Sequence, residues 1–251
     1  MKRSCLFGLT AVLLTVVMVS GASAAGSVGA RVWFADYDQT FVRGGEEEDF
    51  SGGTSPMFMV QFNSTVSERV SGAFMIGYGE GWDEEESGDT DITIRRLDVL
   101  GGLSYMFQYF YMGVGAHGVI VWHEFEDPDW KEDDAYLFLA PEILAGGTFV
   151  LVPDMLYAQA SAAVMPVVWW MLDVDYEDAA SSLEGDDSGT TWGYTLDAAL
   201  ILAFDQFRIG GGYRHAVFEE YDYELDFGTS TARGSHDDEF SGPYVMAGFS
   251  W

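Results

Sequence analysis

The 251-residue chain is poor in several things, and each shortage excludes a class of protein. It has a single cysteine, Cys5, close to the N-terminus. A disulfide framework and a cysteine-based metal site are both excluded. Lysine and arginine number 11 against 41 acidic residues, a formal charge of −30. A chain so acidic has no surface with which to neutralise phosphates, so a nucleic-acid partner is excluded. Prolines number only six. The longest apolar run, about Leu6–Val19, falls short of the ~18 residues a spanning helix needs. Catalytic motifs are missing too. Gly113–Gly118 fits G-x-G-x-x-G, but VIVWHEF continues it as a strand where a dinucleotide site needs a helix. His123-Glu124 opens like H-E-x-x-H, yet Asp127 stands where the second histidine belongs. There is no G-x-S-x-G.

What is present is apolar, aromatic and glycine-rich: 48% hydrophobic, 16% aromatic, 30 glycines. Lys2 and Arg3 precede the apolar run, and Ala22-Ser23-Ala24 follows it as a small-residue cleavage site. That order predicts a signal peptide over 1–24. Residues 25–251 are then one domain, with a balance of 9 − 41 = −32 once Lys2 and Arg3 are lost.

The remaining chain has a two-residue period. Glu239–Trp251, EFSGPYVMAGFSW, sets Val245, Ala247, Phe249 and Trp251 on one face and Tyr244, Met246, Gly248 and Ser250 on the other. This is a strand half buried against something apolar. The same pattern predicts strands at 27–37, 56–65, 69–79, 92–105, 109–122, 136–149, 156–170, 191–204 and 207–218. Short turns at Ser67-Glu68, Phe107-Gln108, Val152–Asp154 and Asp205-Gln206 alternate with long acidic stretches, read as loops, that hold about three-quarters of the carboxylates. Strands of ~10–14 residues suit a membrane crossing better than a soluble sheet. Aromatics gather at both strand ends, with Phe62, Tyr105, Phe107, Tyr109, Phe149, Phe204, Phe207 and Trp251 on the turn side. Phe34, Tyr78, Trp122, Tyr136, Trp170 and Trp192 form the loop-side girdle. The expectation is an all-β, transmembrane antiparallel up-and-down β-barrel of about ten strands, eight or twelve also being compatible. A secreted propeller shares the hairpin spacing, but it does not segregate charge onto alternate loops.

On these residues, 26–251 resemble the small bacterial outer-membrane β-barrel proteins of OmpA/OmpX-like and porin-like type. The resemblance implies the outer membrane of a Gram-negative cell, contact with its lipids and lipopolysaccharide, and a final strand, ending on Trp251, read by the barrel assembly machinery. The chain departs from the OmpA pattern in its ten apparent strands and in lacking a following peptidoglycan-binding domain. Omptin-type outer-membrane proteases are also ten-stranded and rely on Asp–Asp and Asp–His pairs. No D-x-H occurs here, and a non-enzymatic protein is expected.

If the apolar faces meet lipid, the lumen receives Arg31, Arg96, Asp98, His117, Glu142, Asp197, Arg208 and Arg214. Charges in a narrow barrel must pair or stay wet. They form either a salt-bridged plug or the constriction of a small pore, and ten strands lie closer to the filled eight-stranded case. In the acidic stretches Asp173, Asp175, Glu177 and Glu184 occupy positions 1, 3, 5 and 12 of a calcium-loop spacing, although Asp178 replaces the glycine of position 6. Ca²⁺ or Mg²⁺ is expected to gather there, and no other cofactor is implied. Pro141 and Pro166 are almost equidistant from the Pro153 turn and should lie opposite one another as a weak seam in the wall. The expected role is envelope structure, surface interaction or cation binding. A narrow passive pore is the alternative, and lipid handling, resting on the prolines, is a third.

Overall fold

The computed structural model describes residues 25–43, 46–81, 91–127, 129–178, 182–226 and 231–251. The expected signal peptide, 1–24, lies outside them, as do residues 82–90, most of the second acidic stretch.

Ten antiparallel strands close into one barrel: β1 (Gly26–Arg43), β2 (Glu46–Ser67), β3 (Val70–Glu80), β4 (Asp91–Phe107), β5 (Phe110–Asp127), β6 (Trp130–Val152), β7 (Leu156–Asp178), β8 (Ser182–Phe204), β9 (Phe207–Asp226) and β10 (Thr231–Ser250). Each pairs with its sequence neighbours, and β10 returns to β1. Closure is made by Gly26 and Trp251, each donating its N–H to the other's carbonyl at 3.1 and 3.0 Å. The four tight turns at one end fall at 68–69, 108–109, 153–155 and 205–206. Asp154 and Asp205 take the left-handed conformation there, which aspartate tolerates in turns.

The register sets the stagger. Pairing runs Gly26–Ser64–Gly72–Leu103–Val114–Ile143–Val164–Tyr194–Val217–Glu239 and arrives back on β1 at Asp38. One circuit therefore climbs 38 − 26 = 12 residues. A stagger of that size tilts the strands steeply against the barrel axis. Residues far apart in the chain are thereby brought to one level of the lumen.

The wall has two zones. In the lower zone large apolar side chains point outward and stay exposed, among them Phe58, Val114, Leu200 and Phe207. This is the apolar band a bilayer requires, and every turn-side aromatic expected from the sequence stands on its rim, exposed. In the upper zone the alternation inverts. On β7 the buried Leu172 and Val174 point in, while Asp173, Asp175 and Glu177 point out. On β9 Tyr221 and Leu225 are buried, and Glu220, Asp222 and Glu224 are exposed. Such a wall carries its apolar face toward the lumen and its carboxylates toward water.

That inversion corrects the expected strand lengths. Strands run from 11 to 23 residues, because the acidic stretches read as loops are largely strand. Pairing reaches Arg43↔Glu46, Asp127↔Trp130, Glu177↔Ser182 and Asp226↔Thr231. Two members of the loop-side girdle are corrected as well. Tyr136 and Trp170 point into the lumen, both buried. A register shift between Met165 and Val168 reverses the facing of β7, so Trp169 is the residue that meets lipid.

Candidate functional site

The lumen is packed with side chains at two levels. At the lower level Arg31 Nη1 lies 2.6 Å from Asp197 Oδ2, and Asp197 Oδ1 accepts from the Tyr244 hydroxyl at 2.6 Å. Arg96 grips Asp98 with Nε and Nη2 at 2.8 and 3.2 Å, both residues having no exposed surface. His117 Nε2 is 3.9 Å from Asp98. The guanidiniums also lie over rings, Arg96 over Phe240 at 3.8 Å, Arg31 over Tyr244 at 3.9 Å and Arg214 over Trp33 at 5.3 Å. In a dry interior a cation over an aromatic face contributes about 2 kcal/mol. Trp33, Met57, Met59, Phe138, Phe218, Phe240 and Met165 fill the space around these charges, each at most 2% exposed.

Seven of the eight residues expected in the lumen are therefore inside it and buried or nearly so. Arg208 is the exception. It occupies an inward position on β9 but stands one residue from the Asp205-Gln206 turn strand end, exposed at the rim. Glu142 is 5% exposed, and its Oε2 has no hydrogen-bond partner.

The calcium-loop reading is corrected. Asp173, Asp175 and Glu177 stand on the outer face of β7, and Glu184 stands on β8 opposite Asp175. A calcium loop needs ligands converging from a turn, whereas these carboxylates splay from an extended hairpin. No group of three or more His, Asp or Glu side chains able to hold a metal ion occurs among the described residues.

A second polar level lies above the apolar band and escaped sequence reading. Asp238 of β10 accepts from the Tyr37 hydroxyl at 2.6 Å and from the Tyr221 hydroxyl at 3.0 Å. The Tyr37 oxygen is left to accept from His123 Nε2, 3.2 Å away. Gln39 Nε2 donates to His236 Nδ1 at 3.3 Å, and His236 Nε2 is 3.6 Å from Asp238 Oδ1. Tyr136 packs against both imidazoles, with centroid distances of 5.1 and 5.0 Å. Their strands carry carboxylates outward on either side, Asp36 and Asp38 beside Tyr37, Asp237 and Glu239 beside Asp238. Burial pushes both His123 and His236 down to about 3, and it pushes the Asp238 carboxyl up. Both imidazoles are therefore neutral near pH 7.

Between the two levels the wall is interrupted. The β6–β7 ladder pairs Leu139 with Trp169 and resumes at Ile143 with Val164. Pro141 and Pro166 stand in that gap, both with outward, exposed side chains. The juxtaposition expected from their spacing about Pro153 is present.

No family model and no curated protein sequence matches this chain. Among solved structures, the outer-membrane protease OmpT from Escherichia coli is similar at a TM-score of 0.66 and 7% identity, over 92% of this chain and 98% of that one. The translocator domain of the autotransporter NalP from Neisseria meningitidis is similar at 0.50 and 12% identity, over 98% and 95%. At such identities the likeness is one of fold. The chain has the architecture of an outer-membrane β-barrel, a closed ten-stranded antiparallel one.

Proposed function

We propose that this protein is a non-enzymatic barrel of the Gram-negative outer membrane, closed to solutes, which presents an acidic upper wall at the cell surface. The observation that carries this reading is the packed lumen. Arg31 with Asp197 and Arg96 with Asp98 are paired inside the barrel, and aromatic and methionine side chains at most 2% exposed are packed around them. A pore would keep its lining charges hydrated, since unpaired ions in a dry interior cost several kcal/mol each.

The inverted upper wall gives the reading its second half. A wall with outward carboxylates on several neighbouring strands repels acidic surfaces and concentrates divalent cations. Ca²⁺ or Mg²⁺ held diffusely there would bridge to lipopolysaccharide phosphates, and the Trp251-terminated strand would be the contact for the assembly machinery.

Single-channel recording in planar bilayers tests the proposal, using refolded protein shown separately to be inserted. The expected result is no steady conductance with or without calcium. Reproducible steps would overturn it in favour of a narrow pore.

A further inference from the structure

The break in the β6–β7 ladder is anomalous for a membrane wall. Inside a bilayer no water satisfies backbone polar groups, so a barrel ordinarily pairs every strand residue with its neighbours. Here two prolines face each other. Each removes one N–H and keeps its carbonyl, so the wall loses donors while its acceptors remain. Register is lost over 140–142 on β6 and 165–168 on β7. The bulge also places Pro166 and Val167 outward in succession.

Immediately behind the break is Glu142, next to Pro141 and pointing inward. It is 95% removed from solvent, its Oε2 has no hydrogen-bond partner, and it makes no ion pair among the described residues. His117, its diagonal neighbour on β5, offers ring nitrogens without hydrogen bonds, Nε2 being 3.9 Å from Asp98. Outside the break the surface is apolar: Ile143, Val164, Val167 and Trp169 are all exposed. The place therefore combines a bulged, proline-interrupted ladder, a surplus of acceptors with a carboxylate behind it, and a lipid-facing apolar flank.

We propose that the β6–β7 break is a lateral binding site for a single-chain amphiphile with a primary ammonium head. Of small head groups, ammonium matches this excess of acceptors: it brings three N–H donors and the charge that Glu142 lacks. The alkyl chain lies against Ile143, Val164, Val167 and Trp169 in the bilayer. A carboxylate or phosphate head is disfavoured, because it would add acceptors beside an unpaired carboxylate.

The test uses the full refolded chain in phosphatidylcholine vesicles, whose lipid supplies no primary amine. The probe is a long-chain alkylamine bearing a photoreactive diazirine, and labelled peptides are mapped by mass spectrometry. The expected result is labelling concentrated several-fold on the 139–143 and 164–169 segments relative to the β2–β3 wall. Glu142→Gln should lower that labelling several-fold while leaving the folded gel mobility unchanged. Pro141→Val with Pro166→Val, which restores both donors, should lower it as well. If the double variant fails to fold, Glu142→Gln still decides. Even labelling around the barrel, equal labelling by a headless alkane diazirine, or indifference to Glu142→Gln would each overturn the proposal. Displacement by added phosphatidylethanolamine would reassign the site to a two-chain lipid and overturn the single-chain assignment. Channel conductance is not among the readouts, so the outcome does not depend on whether the lumen is closed.

Discussion

Arg31 on β1 and Asp197 on β8 form an ion pair at 2.6 Å although 166 residues separate them in sequence. Two strands, β9 and β10, lie between them around the wall. The pair thus spans the closure of the barrel and ties the first strand to the last three. Asp197 also accepts from Tyr244 of β10. Asp197→Ala strands a guanidinium and a hydroxyl in a largely dry interior, and breaking such a pair costs about 3–5 kcal/mol. The double variant Arg31→Met, Asp197→Leu removes both charges and should recover much of that loss. Urea unfolding in lipid vesicles, followed by tryptophan fluorescence, measures both. Equal losses for single and double variants would show that packing around the pair matters and its charge does not.

The inverted upper wall makes a prediction about neighbouring residues of opposite effect. Val174 is 4% exposed and points inward, whereas Asp175 is exposed outward. Val174→Asp places a carboxylate in a dry interior and should cost several kcal/mol. Asp175→Ser should fall within about 0.5 kcal/mol of the parent. The same unfolding assay compares them. If Asp175 proved the more sensitive, the facing of β7 above its bulge would be wrong.

These two positions also mark where the sequence was legible. Alternation is a local property, and it located the ten strands, the outward apolar band and seven inward lumen residues. Carboxylates mark loops where strands are flanked by lipid, but not where a wall emerges into water. The signal was available: Tyr221, Tyr223 and Leu225 alternate with Asp222 and Glu224 in the same two-residue period. The Tyr37–Asp238–Tyr221 group was not legible. The extra residue of a bulge on β9, opposite His236–Asp238, brings Tyr221 to the inner face along with Phe218, and the partners of Asp238 come from two other strands. The proline pair was legible because a tight turn fixes register, and equal distance from Pro153 makes Pro141 and Pro166 partners.

Backbone geometry at the closure gives a third prediction. Gly242 on β10 has φ +156, and its carbonyl accepts from Trp33 Nε1 at 3.1 Å. A Cβ at this position would run into the Phe34 carbonyl and crowd Ala35. Both belong to backbone and cannot swing aside, so Gly242→Ala must part β1 from β10 or shift them. The expected result is a barrel that folds poorly, read as loss of the compact band in unheated gel electrophoresis. The neighbouring outward position Val245→Ala, exposed to lipid, serves as the comparison and should keep that band.

The last prediction concerns acid. His123 and His236 are held near 3 by burial, against about 6.5 in an unfolded chain. A group whose folded value is depressed binds protons in the unfolded state first. The stability that rests on keeping these rings neutral is therefore present above about pH 6.5 and is lost as pH falls toward 3. Each histidine should remove on the order of 1 kcal/mol per pH unit over that window. The groups facing them are Tyr37, Gln39, Asp134, Tyr136, Tyr221 and Asp238. Asp238 opposes the trend: burial raises its carboxyl, so stability falls as pH rises from the ordinary aspartate value toward the raised one, an interval that overlaps the lower part of the histidine window. Two imidazoles outweigh one carboxyl where the intervals overlap, so the net slope between about pH 6.5 and 4.5 should follow the histidines. Urea midpoints measured across that interval should fall with acidification, and His123→Gln with His236→Gln should flatten the slope. An unchanged slope in the double variant would assign acid sensitivity to the outward carboxylates, and the neutral imidazoles would then have no part in holding the upper barrel together.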